Sequence, residues 1–141
     1  MEVLITCPVN PTEDLKMVEK ALENILGKSD LVDADNNDTS EISLSFTSRD
    51  AMGFVRQTIH EIRIIDVARK RIESNWNGTS TKIYFDKQAA LAKKTRIIDD
   101  NLELPPLGGI EIIFTFDSAS EFEEFVNWFT PRTKDGRIIN H

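Results

Sequence analysis

The sequence predicts one α+β domain built as a two-layer sandwich, a mixed sheet with helices packed on one face and the other face free. Three observations predict it. The elements read, in order, as strand, helix, strand, helix, two or three strands, helix. The helical stretches gather their apolar residues on one stripe, and most strands alternate, so each element has one side for a core and one for solvent. With 141 residues, 40% of them hydrophobic, the chain has the size of a single domain (residues 1–141) with a single core.

Val3 to Cys7 alternate and form the first strand, closed by Pro8 and Pro11. In the helix that follows, Thr12 is the expected cap, and Glu13 and Asp14 sit where the N-terminal dipole favours anions. Leu15, Val18, Leu22, Ile25 and Leu26 form its apolar face, and Gly27 suits the left-handed position at its end. Lys28 to Ser40 is polar and acidic and reads as an exposed loop. Ile42, Leu44 and Phe46 then alternate with Ser43, Ser45 and Thr47, a strand with one buried face.

The longest helical run is Asp50 to Asn75. Wound as a helix, it puts Ala51, Val55, Ile59 and Ile62 on one stripe, with Arg56, His60, Arg63, Val67 and Lys70 on an adjoining, mostly cationic one. Past Ile62 the apolar stripe drifts through Ile65, Ala68 and Ile72, so the helix is expected to kink or divide near Arg63. Beyond Trp76-Asn77-Gly78, the run Thr81 to Phe85 alternates as a strand, residues 86–90 form a helical turn, and Thr95 to Ile98 suit a further short strand. Two prolines and two glycines make residues 104–109 a loop. Ile110 to Phe116 is apolar on both faces, which places it centrally in the sheet. Ser118 and Glu121 form a capping box for a last helix whose Phe122, Phe125, Val126 and Phe129 share a face, with Pro131 as its stop.

The chain lacks an apolar run long enough to cross a membrane and begins without a basic leader, so a cytoplasmic protein is expected. Its single cysteine, Cys7, allows no intrachain disulfide. The net charge is −7, yet Arg63 to Arg96 holds nine Lys and Arg against three acids, a balance of +6 that leaves −13 on the rest. Such asymmetry builds a local positive potential able to attract phosphate within an acidic body. The alternative is a solvated, ion-paired surface, with Asp66 and Lys70, and Arg69 and Glu73, at i, i+4 spacing. Trp76 and Tyr84 are the rings nearest this zone, available to stack on bases or to fill the core.

Other chemistries fit poorly. A calcium loop begun at Asp33 needs Gly where Asp38 stands and Glu where Leu44 stands. Asp99, Asp100 and Glu103 are adjacent carboxylates of the solvent-facing kind. Cys7, His60 and His141 show no spacing for nucleophilic catalysis, and Gly108-Gly109 is too short to cradle a phosphate. The chain is read as a non-enzyme without cofactor or metal.

Four runs carry a resemblance: Ile65-Asp66-Val67-Ala68-Arg69, Asp86-Lys87-Gln88-Ala89-Ala90, Leu107-Gly108-Gly109-Ile110-Glu111, and Asn127-Trp128-Phe129-Thr130-Pro131 followed by Asp135-Gly136. Together they resemble an uncharacterised archaeal family labelled as predicted RNA-binding, whose fold is like that of the ribosomal protein holding 5S rRNA. This sequence departs from the family pattern at Asp86, where Asn is expected, and at Lys93, where Gly is usual. The resemblance implies the fold and an RNA partner, while fold likeness alone transfers no function. The candidate phosphate-binding residues are Arg63, Arg69, Lys70, Arg71, Lys82, Lys87, Lys93 and Lys94. The other reading is an interaction module, a homodimer through Ile64, Val67 or the free sheet face.

Overall fold

The computed structural model describes residues 1–27, 40–98, 108–134 and 137–138. The acidic loop before Ser40, the carboxylates Asp99, Asp100 and Glu103, most of the proline loop, and His141 lie outside them. Five strands, β1 (Glu2–Pro8), β2 (Glu41–Phe46), β3 (Ser80–Asp86), β4 (Ile97–Ile98) and β5 (Gly109–Thr115), pair in the order β2-β1-β5-β3-β4. Every pairing is antiparallel, so the sheet is not mixed as expected. The reason is topological: β1 and β3 do run in the same direction, but β5 inserts between them and runs against both. β5 is central, as its two-sided apolarity requires.

Period-two alternation sends Val3, Ile5, Cys7, Ile42, Leu44, Ile83, Phe85, Ile110, Ile112 and Phe114 into one buried core. Five helices supply the opposing layer: α1 (Leu15–Leu26), α2 (Gly53–Glu61), α3 (Ile65–Ser74), α4 (Lys87–Leu91) and α5 (Ala119–Phe129). α1 buries Val18, Ala21, Leu22, Ile25 and Leu26. Its cap is Asp14, whose side chain accepts from the Lys16 N–H, rather than the expected Thr12. Glu13 turns inward instead, toward Lys87.

The long helical run divides where the stripe drifts. α2 stops at Glu61, Arg63 takes a left-handed conformation at φ 61°, and α3 restarts at Ile65. The Ile64 N–H bonds back to the Ile59 carbonyl and the Arg63 N–H to that of His60, the pattern that closes a helix with a left-handed residue. The break rotates the apolar stripe onto Ile65, Ala68 and Ile72, all buried, and leaves Ile62 47% exposed. Ser118 caps α5 by accepting from the Glu121 N–H, and Glu121 in turn accepts from the Asp117 N–H and pairs with the N-terminal amine at 3.1 Å. Phe114, Phe116, Phe122, Phe125 and Phe129 pack in tilted, edge-on and stacked pairs beneath it. Two short strands, β6 (Thr133–Lys134) and β7 (Arg137–Ile138), follow α5 and pair antiparallel; they were not among the expected elements.

Candidate nucleic-acid interface

The eight candidate cations do not form one surface. Lys87 is buried, 3% exposed, with its ammonium donating to the Pro8 carbonyl at 2.9 Å and to Glu13 Oε1 at 2.7 Å. Glu13 also accepts from the backbone and side-chain amides of Asn10 at 3.0 and 2.7 Å. Burial pushes the Glu13 carboxyl up, but the bonds from Lys87 and Asn10 outweigh it and hold it below its ordinary value. This ion pair ties the first residue of α4 to the turn after β1. Lys87 is a strut between elements and cannot meet a phosphate in solvent.

Arg69 is likewise consumed. Its Nε pairs with Glu73 at 2.6 Å, the i, i+4 pair read from the sequence, and a second guanidinium nitrogen donates to the Thr130 carbonyl at 2.8 Å. Asp66 does not pair with Lys70 as expected; it accepts a hydrogen bond from Thr133. Arg69 is one of three side chains that converge on the end of α5. Arg56 Nε donates to the Trp128 carbonyl at 2.7 Å, and His60 Nε2 lies 2.9 Å from that of Phe129. Because a carbonyl only accepts, Nε2 carries the proton. A helix ends with unpartnered carbonyls and a partial negative charge; the two guanidiniums answer both, and the imidazole adds a hydrogen-bond donor. Burial and the neighbouring Arg56 charge pull the His60 pKa down against the opposing effect of its carbonyl bond. Trp128 lies under Arg56 and Arg49, each guanidinium 5.0 Å from its ring. Much of the cationic stripe of the long helical run is thus a cap for α5.

Lys82 sits apart from the others, on the sheet face away from the helices, its ammonium 5.5 Å from the Tyr84 ring. Burial, followed by the adjacent Glu111, pushes the Tyr84 phenol up. Glu2, Glu41 and Glu111 occupy strand positions on the same face, where Lys82 is the only cation among the described strand residues apart from the Asp86–Arg96 pair near its edge. That face repels a polyanion. Trp76 is stacked on Phe122, centroids 3.9 Å apart and planes 9° off parallel, and so belongs to the core. Arg71 is half-buried and already partnered.

Arg63, Lys70, Lys93 and Lys94 remain, all exposed and without an ion-pair partner among the described residues. Arg63 and Lys70 lie on the α2–α3 elbow and α3; Lys93 and Lys94 lie on the turn leaving α4. Lys93 repeats the geometry of Arg63: φ is 62°, its N–H bonds the Ala90 carbonyl at 3.0 Å, and the Lys94 N–H bonds that of Ala89 at 2.8 Å. Both left-handed non-glycine residues among those described are therefore exposed cations at helix ends.

The same α4 turn borders a feature not anticipated from the sequence. Lys93 and Thr95 face Lys20 and Asn24 of α1 and Phe54 and Thr58 of α2 across a cleft of about 500 Å³. Phe54 is 47% exposed there. The signal available for it was positional, since an aromatic at 54 falls off the stripe of Ala51, Val55 and Ile59. Elsewhere, no group of three His, Cys, Asp or Glu among the described residues is placed to hold a metal. Cys7 is fully buried, and burial pushes its thiol up to about 12.

Comparison with known proteins fits this picture. A UPF0201 protein of Methanocaldococcus jannaschii is 31% identical over 142 residues, covering 99% of this chain and 78% of that protein. A UPF0200/UPF0201 protein of Archaeoglobus fulgidus is 29% identical over 139 residues, and the chain spans only 40% of its length. The crystal structure of a UPF0201 protein from Methanococcus jannaschii superposes with a TM-score of 0.75 over 99% of this chain and all of that one, at 28% identity. Residues 2–116 match the model of a family described as RNA binding, and the chain belongs to that family.

Proposed function

We propose that the protein is a non-enzymatic, cytoplasmic module that binds RNA, or a polyanion of like phosphate density, through Arg63, Lys70, Lys93 and Lys94. The observation that carries this reading is their state: four cations stay exposed and unpartnered among the described residues, while Lys87 and Arg69 are taken up by carboxylates and carbonyls. Membership of a family described as RNA binding supports it. A binding role is favoured over catalysis because Cys7 stays a buried, protonated thiol and His60 is committed to the Phe129 carbonyl. No helix among the described residues is long and apolar enough to cross a membrane.

Fluorescence anisotropy with labelled single-stranded and hairpin RNA tests it. Replacing Arg63, Lys70, Lys93 and Lys94 together by Glu abolishes binding at low salt on this account, while the fold, held by other residues, survives. Undiminished binding by the folded variant refutes the assignment.

A second reading, a homodimer, is favoured by Ile62 and Val67, which are 47% and 50% exposed beside Arg63. Ile64, by contrast, packs partly against the core, and the free sheet face carries carboxylates. Sedimentation of the wild type and a Val67→Asp variant separates the two readings.

A further inference from the structure

We propose that the cleft between α1, α2 and the turn after α4 receives one unpaired RNA base, stacked on Phe54, with Lys93 at its mouth contacting the adjoining phosphate. The inference rests on the RNA reading above and assigns it a specific subsite. Phe54 lies where an amphipathic helix normally carries a polar residue, and it stays 47% exposed inside a concave site. Its ring rests on Gly27. A Cβ there would lie 3.4 Å from Phe54 Cγ, ordinary van der Waals contact, so the side chain packs directly against the end of α1, where Gly27 takes φ 89°. The side chain is thus braced on protein at its base while about half of it stays exposed in the cleft, leaving ring surface on which a base can stack.

The walls supply polar edges. Asn24 donates through Nδ2 to the Ala90 carbonyl at 2.8 Å, which fixes its amide and leaves Oδ1 able to accept from a base amino group. Thr58 donates to the Phe54 carbonyl at 3.0 Å and keeps its oxygen lone pairs, and the Thr95 hydroxyl is at the opposite wall. A cleft of about 500 Å³ is ample for a nucleobase. The charge at its mouth suits a phosphate. Lys93 is held in the left-handed region that favours glycine, so the chain places a cation at the rim at a backbone cost. Lys20, on the far side, is only loosely balanced by Glu23 at 3.6 Å.

The test is equilibrium binding to the full chain of a short single-stranded adenine RNA carrying one 2-aminopurine, whose fluorescence is quenched on stacking. Phe54→Ala is expected to weaken binding about ten-fold and to lose the quenching, with the salt slope unchanged because a ring carries no charge. Phe54→Tyr retains both binding and quenching. Lys93→Gly weakens binding and lowers the salt slope, yet its melting temperature is unchanged or raised, so misfolding cannot account for the loss. If the wild type binds and Phe54→Ala binds equally well with full quenching, the base is not in this cleft and only this inference fails. A loss in Phe54→Ala that is equally large on duplex RNA also overturns it. If the wild type binds no RNA, the RNA reading fails and the inference with it.

Discussion

Replacing Lys87 by Met separates a structural cation from a binding one. The substitution keeps most of the buried aliphatic stem and deletes the ammonium, which donates to Glu13 at 2.7 Å and to the Pro8 carbonyl at 2.9 Å. Breaking one side of a buried pair typically costs about 3–5 kcal/mol because the remaining charge is stranded. Glu13 is 17% exposed and keeps both Asn10 bonds, which points to the low end, about 3 kcal/mol. In urea that lowers the unfolding midpoint by about 1–2 M for a chain of this size. Glu13→Gln with Lys87→Met removes both charges and costs less than the sum of the single changes. Urea unfolding monitored by tryptophan fluorescence is a suitable assay, since Trp76 and Trp128 pack against the core. A loss under about 1 kcal/mol, the scale of an exposed pair, refutes the strut. So does a folded Lys87→Met protein with strongly reduced RNA affinity, because Lys87 would then act at the ligand.

Three other predictions concern two titrating groups and a helix end. The folded-state pKa of His60 lies below its ordinary 6.5, so the unfolded chain binds the proton more readily. Its contribution to stability is fully present above about 6.5, is lost as pH falls through the folded pKa, and is flat below that. Urea midpoints between pH 8 and pH 5 should show this loss, and His60→Gln should flatten it; a midpoint that rises on acidification contradicts the assignment. Glu13, held below 4.5, acts in a separate window: its stabilisation is present above that value and is lost as pH falls through the lowered one. Arg63→Gly relieves the left-handed backbone at φ 61° but surrenders a cation at the end of α2, so stability should change by less than about 1 kcal/mol in either direction. A loss of several kcal/mol on thermal unfolding would show that Arg63 makes contacts the exposed geometry does not include.

Local features of the fold were legible because local physics decides them. The drift of the apolar stripe after Ile62 located the division at Arg63, and apolarity on both faces of residues 110–116 placed β5 at the centre. The relative positions of β1, β5 and β3 were not legible, since which strand inserts between two others depends on pairing between distant segments. The cap of α1 was misread because the Glu13 N–H closes a turn onto the Asn10 carbonyl at 2.9 Å, which holds Thr12 inside that turn and starts the helix later, with Asp14 as its cap. The candidate site was legible in composition but not in role. Sequence separates cations from acids, but it cannot show that Arg56, His60 and Arg69 face the carbonyls of Trp128, Phe129 and Thr130, or that the Lys87 charge is buried. The positions left exposed, and Phe54 beside them, emerge only once those partners are assigned.

The most direct test of the account is the salt dependence of RNA affinity in three proteins: wild type, the variant with Arg63, Lys70, Lys93 and Lys94 changed to Glu, and Arg69→Gln. On single strands each neutralised phosphate contributes a slope of about −0.7 in log K against log salt. The account predicts a slope of about −2 to −3 for the wild type if its four exposed cations each meet a phosphate, no measurable binding in the four-fold variant, and the wild-type slope in Arg69→Gln with only reduced stability. A wild-type slope near zero, or a slope lost on changing Arg69 and kept on changing the exposed four, would contradict it.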